Sequence, residues 1–196
     1  MSDWTTLTEK TSRDNADKVL IGEPANTSKY LLISTLIAGL GGGGGGVAPY
    51  VLLRDVKSQG TNGGTFTAGA RRVRDLNEET IDTDSVCSLS ANQFTLDAGT
   101  YRVRISCPAY SVSSHQAYLY CVSDTADIAV GTTEFDYSSD GHSQTRSIVV
   151  GRFTMASSKT FEVQHECTVN RSNDGFGHMG NLDSEIYTIV ELWKEE

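Results

Sequence analysis

The sequence has no long apolar run, no proline-rich stretch, no excess of positive charge and no CxxC pair. Each absence removes a class of protein. The longest apolar stretch, residues 30–40, is too short and too interrupted to cross a bilayer, so no membrane insertion is expected. The chain opens Met-Ser-Asp-Trp, without a basic segment and an apolar one behind it, so a secretory precursor is not expected either. A formal net charge of -9 repels phosphate backbones, which argues against nucleic acid as a partner. The one basic cluster, Arg71, Arg72 and Arg74, stands beside Asp75, Glu78 and Glu79. It reads as salt bridges on a solvated or subunit-facing strand. Cys87, Cys107, Cys121 and Cys167 have no zinc or redox spacing. In a reducing cytoplasm they read as small core hydrophobes. A disulfide between Cys107 and Cys121, on neighbouring predicted strands, is the disfavoured alternative.

The residues that carry chemistry are equally sparse in pattern. His115, His142, His165 and His178 are scattered, with no HxH or HExxH. No metal site and no cofactor are expected. His165 alternates with core positions and reads as a satisfied core or interface histidine. Asp82-Thr83-Asp84 lacks the rest of a calcium loop, and no Gly-x-Ser-x-Gly elbow occurs. The expectation is a protein that is not an enzyme.

What the sequence does have is glycine, serine and threonine, with a period-two alternation of apolar and polar residues. Tyr101, Val103, Ile105 and Cys107 alternate with Arg102, Arg104 and Ser106; Pro108 is expected to end that strand. Phe161, Val163, His165 and Cys167 alternate with Glu162, Gln164 and Glu166. Further strands are expected over residues 50–56, 93–96, 116–122, 131–137, 145–154 and 185–193, with an extended segment over 65–75. Ala117, Leu119 and Cys121 should share a face. In the last strand, Ile186, Thr188, Val190 and Leu192 fall on one face and Tyr187, Ile189 and Trp193 on the other. A strand apolar on both faces is covered on both, here by the core and by a sister copy. Eight to ten such strands without an amphipathic helix give an all-β antiparallel sandwich or jelly roll.

The chain divides into three segments. Residues 1–38 hold two short apolar runs, 17–21 and 30–33, around a turn-rich stretch, which predicts a β-hairpin, and Ser34 can cap a helical turn over 35–38. Forty residues build little core alone, so this piece is expected to be ordered by a partner. Residues 39–49 contain six consecutive glycines. They read as a flexible tether, with axial packing of three chains as the minority alternative. A phosphate loop is ruled out because Val47-Ala48-Pro49 follows, not Gly-Lys-Ser. Residues 50–196 are the head.

The segments NQFTLDAGTYRVRISCPAY, QTRSIVVGRFTMASSKTFEVQHE and GFG with SEIYTIVELWKEE resemble the tumour-necrosis-factor-like jelly roll, which is also the complement globular head. They look most like the versions at the C-termini of phage tail fibres. YVLLRDVKSQGTNGGTFTAGARRVRDLN resembles the first strands of that phage group, and DNADKVLIGEPANTSKYLLISTLIAGL a small module near the N-termini of phage fibre proteins. The resemblance implies a homotrimer in a virion, made in the host bacterial cytoplasm and docked to other virion proteins through residues 1–40. It implies a tail fibre or receptor-binding protein that attaches to a host surface glycan or protein. The alternative is a capsid decoration, head-fibre or neck/tail adaptor protein without receptor binding. Candidate receptor-binding residues lie in two loops, Tyr137, Asp140 and His142 in 136–142 and Arg171, Asn173 and Phe176 in 171–178. Candidate trimer-interface residues are Tyr187, Ile189 and Trp193.

Overall fold

The computed structural model describes residues 18–21, 29–32, 48–135 and 143–195, and the chain falls into two compact units, Met1–Gly46 and Val47–Glu196. In the first unit β1 (Lys18–Ile21) and β2 (Lys29–Leu32) pair antiparallel, Lys18 opposite Leu32, as the two apolar runs predict. The helical turn and the glycine run lie outside the described residues.

The second unit is two antiparallel sheets. The first runs β12 (Gln144–Met155), β8 (Gly99–Tyr110), β14 (Glu185–Glu195), β3 (Tyr50–Lys57), β5 (Glu78–Asp82). The second runs β10 (Ala126–Val130), β9 (Ser114–Cys121), β13 (Lys159–Cys167), β7 (Gln93–Leu96), β6 (Cys87–Ser90). Two short strands, β4 (Arg72–Val73) and β11 (Glu134–Phe135), pair with β13 and β9. The pairings nest: β3 with β14, β7 with β13, β8 with β12, β9 with β10. Successive pairs fall in alternate sheets. A long hairpin rolled in this way is a jelly roll.

Alternation builds the core as the sequence predicts. Tyr101, Val103, Ile105 and Cys107 face inward, against Leu119, Cys121, Phe161 and Val163 of the opposite sheet. A smaller cluster, Phe66, Ala109, Val112, Cys167 and Phe176, closes one end.

Four expectations are corrected. Pro108 does not end β8, which continues to Tyr110. Pairing with β14 stops at Ser106, so Pro108 has a strand neighbour on one side only and its missing donor leaves no ladder bond broken. Cys107 and Cys121 are not on neighbouring strands: β8 and β9 lie in opposite sheets, and all four cysteines are free thiols. Residues 65–75 form only β4 and one bridge, Phe66 to Arg171, because Gly69 turns with φ +88° and the chain then drops Arg74 into the interior. Of the strand expected over 131–137, residues 131–133 are not strand and Glu134–Phe135 form β11, while 136–137 lie outside the described residues. β10 ends before Gly131, whose added Cβ would sit 2.9 Å from the Ala117 carbonyl oxygen, and pairing with β9 resumes at β11.

Candidate functional site

The outward face of the five-stranded sheet carries an ordered lattice of side chains. One row across it is Arg152, Arg102, Trp193, Tyr50; the next is Val150, Arg104, Glu191, Leu52, Ile81; the next is Ile148, Ser106, Ile189, Arg54. Glu195 takes Arg102 at 2.5 Å and Arg152 at 2.7 Å, and Glu191 takes Arg104 at 2.9 Å and the Tyr50 hydroxyl at 3.1 Å. Trp193 packs on Tyr50 with ring centroids 5.4 Å apart. Arg102, Arg152, Arg104 and Arg54 are thus paired with carboxylates of the same chain, while Arg146, at one end of the face, donates only to Ser106 Oγ and the Tyr187 carbonyl; of the flanking aliphatic residues Val150 is 68% exposed and the others are less so. A hollow of about 460 Å³ opens between Arg102, Val150, Trp193 and Glu195. A sheet face with most of its ions already paired and apolar side chains between them loses little by meeting another protein surface.

Ile189 and Trp193 stand on this face, half-buried, as the alternation predicts. Tyr187 does not. The pairing of β14 with β3 shifts register between Ile186 and Ile189. Ile186 turns outward, and Tyr187 turns into its own chain, 2% exposed. The Tyr187 hydroxyl donates to the Thr61 carbonyl at 2.7 Å, and its ring fills the space where a Cβ on Gly177 would be. Burial pushes its hydroxyl up to about 12. Tyr187 is thus withdrawn from any contact with a sister copy.

The loop after β13 is fastened to the core cluster. Phe66 and Arg171 exchange both backbone hydrogen bonds, at 2.8 and 2.9 Å. Arg171 grips Asp174 through two nitrogens at 2.7 and 3.1 Å, which holds the Asp174 carboxyl below its ordinary value. His178 stacks on Tyr110 at 4.7 Å. Asn173 is exposed with φ +69°, its N–H donating to Thr65 Oγ1. Phe176 is no surface residue: it is buried, its ring 4.5 Å from that of Phe66. Arg171 and Asn173 stay at the surface; Tyr137, Asp140 and His142 lie outside the described residues.

Beneath this end of the sandwich lies a buried polar cluster. Arg74, expected at a surface, is fully buried. Its guanidinium donates to Thr188 Oγ1 at 2.8 Å, the Pro108 carbonyl at 3.2 Å and the Phe176 carbonyl at 2.9 Å, and it lies over the Phe176 ring. Carbonyls and a hydroxyl replace the carboxylate that such a cation usually meets. Burial lowers the Arg74 pKa from its ordinary value. His115 Nδ1 meets His165 Nε2 at 3.0 Å, and His115 Nε2 meets Thr145 Oγ1 at 2.7 Å. The chain of contacts runs from β13 through β9 to β12 and so ties one sheet to the other. Burial brings His115 down to about 4 and His165 well below its ordinary value, with Arg74 adding to the second effect. Both rings are therefore neutral at neutral pH. His165 Nδ1 has no hydrogen-bond partner. The field of Arg74 favours the tautomer that leaves a lone pair there, with His165 Nε2–H donating to His115 and His115 Nε2–H donating to Thr145. Among the described residues no three His, Cys, Asp or Glu side chains converge as metal ligands.

The sequence contains a signal for the histidine pair. His115 precedes Ala117, Leu119 and Cys121 at spacing two, on the face that those three bury. No such signal marks Arg74.

No family model matches the chain, and no curated protein does. Solved structures are similar to its head. One is the globular domain of zebrafish complement 1qA protein, at 10% identity over 76% of this chain and 98% of that one, with a TM-score of 0.48. Another is murine APRIL, at 8% identity over 74% and 98%, with a TM-score of 0.49. A third is the PRD1 vertex protein P5, at 15% identity over 77% and 99%, with a TM-score of 0.42. These likenesses are distant; the jelly roll is assigned from the nested strand pairing.

Proposed function

We propose that this chain is a homotrimeric virion protein whose jelly-roll head attaches the particle to the host surface and performs no catalysis. The observation that carries the oligomer is the outward face of β12, β8, β14, β3 and β5. It presents Leu52, Ile81, Ile148, Val150, Ile189 and Trp193 around ion pairs already closed within one chain. Buried against copies of itself, such a face removes apolar area from water at roughly 25 cal/mol per Å² while the charges of Arg102, Arg152 and Arg104 stay paired. Three-fold closure and the place in a virion come from the resemblance of the sequence segments to phage fibre heads. The separate unit of residues 1–46 fits a piece that docks to other virion proteins.

Attachment falls to the loops, which change while the sandwich holds. The fastening of 171–178 to Phe66 and Arg74 means that deleting that loop would unfold the end of the head, so the informative perturbations are at the surface. Particles in which residues 136–142 are replaced by a Gly/Ser segment of equal length, and Asn173 by glycine, should assemble normally and lose adsorption. Normal adsorption by such particles rejects the receptor-binding role.

A further inference from the structure

A second hollow, of about 310 Å³, lies on the other sheet. It is lined by Ser114, His115 and Gln116 of β9, Thr133 before β11, Glu166 and Cys167 at the end of β13, and Thr168 just beyond it. That size is at the small end of the ~300–1,000 Å³ common for ligand clefts. The lining offers hydroxyl groups on three residues, one amide and one carboxylate, and it holds no lysine or arginine. Its polar groups are held in place. Gln116 Nε2 donates to the Gly131 carbonyl at 2.8 Å, and the Tyr118 hydroxyl donates its one hydrogen to Glu166 Oε1, with Gln116 Oε1 3.0 Å from the same hydroxyl oxygen. The Tyr118 ring is in turn covered by Arg71, whose charge is taken by Asp127 at 2.6 and 3.0 Å.

We propose that this hollow binds a neutral saccharide ring. A sugar hydroxyl is donor and acceptor at once, and a carboxylate beside threonine and serine hydroxyls answers both roles. The hydrogen bonds that a sugar donates to Glu166 are charge-assisted and stronger than those between neutral groups. An anionic sugar or a phosphate meets the Glu166 charge without any cation in the lining to offset it. The hollow is on the layer opposite the face assigned to self-association, so it stays open in an oligomer. As the site of host recognition it rests on the surface-attachment reading above; as a binding site it stands without it.

The test is saturation-transfer NMR on the full chain. The probes are methyl glycosides of glucose, galactose, mannose and N-acetylglucosamine, with glucuronate, N-acetylneuraminate and ethanolamine as charged comparisons. At least one neutral glycoside should bind, with a dissociation constant on the order of millimolar. Glu166→Ala and Thr133→Val should weaken it roughly tenfold or more. Arg102→Ala, on the opposite sheet, should leave it unchanged, and thermal melting should show all three variants folded. Silence from every neutral glycoside overturns the proposal. So does binding that Glu166→Ala and Thr133→Val leave unaltered, and so does a response to glucuronate, N-acetylneuraminate or ethanolamine alone. Adsorption of particles carrying Glu166→Ala separates the two readings: sugar binding with unchanged adsorption upholds the site and rejects its use in attachment.

Discussion

Acid should loosen this head through the buried histidine pair. His115 holds its folded pKa near 4 against 6.5 for an unhindered ring. Between those values the unfolded chain binds a proton that the folded chain refuses, so stability falls as pH drops through that window and flattens below it. A shift of this size is worth about 3 kcal/mol at 1.36 kcal/mol per pH unit, most of it lost by pH 4.5. His165 adds in the same direction, because a proton there would be buried away from water and would also sit beside Arg74. Glu134 is the acidic group acting on His115, and it opposes the effect without reversing it. Thr145 can accept from a charged ring but carries no negative charge to balance it. The assay is urea unfolding at fixed protein concentration from pH 7.5 to 4.5, on the native chain and on His115→Gln, which keeps an amide in place of the ring and does not titrate. The native chain should lose more than about 2–3 kcal/mol across the range, and the variant less than the native chain by about 2–3 kcal/mol, with His165 keeping its own share. Equal losses would refute the assignment of His115 as a source.

Two further outcomes follow from the packing around Tyr187. Gly177→Ala places a methyl group 2.2 Å from the Tyr187 ring at a backbone angle of φ +141°, and should cost on the order of 3 kcal/mol, read as a fall in the melting temperature. Tyr187→Phe removes the hydrogen bond to the Thr61 carbonyl and should cost about 1 kcal/mol by denaturant melting. It should leave the solution mass unchanged, since Tyr187 faces its own chain.

The layers of the sandwich were legible in the sequence because alternation reports which face of a strand is wet. Residues 101–107 and 161–167 gave the right inward set, and Ala117, Leu119 and Cys121 did too. What alternation does not report is a break in itself. The bulge after Ile186 exchanges the faces of two residues, and nothing in Glu185-Ile186-Tyr187-Thr188 announces it. Gly177, whose missing side chain makes room for Tyr187, is ten positions away. Arg74 is misread for a related reason: its hydrogen-bond acceptors are two carbonyls and a hydroxyl from distant elements, so no oppositely charged residue in the sequence marks it as buried. Pro108 misleads because a proline stops a strand only where a neighbouring strand stands on the side its N–H would face, and here that side meets Arg74 instead.

The direct test of the account is the mass of the purified chain in solution, by sedimentation equilibrium, with Ile189→Asp combined with Val150→Asp as the comparison. The native chain should weigh three times the 21.2 kDa of one chain, and the doubly substituted chain should fall to a single copy that still melts cooperatively. A native chain that sediments as one folded copy, with Ile189, Trp193 and Val150 left facing water, would contradict it.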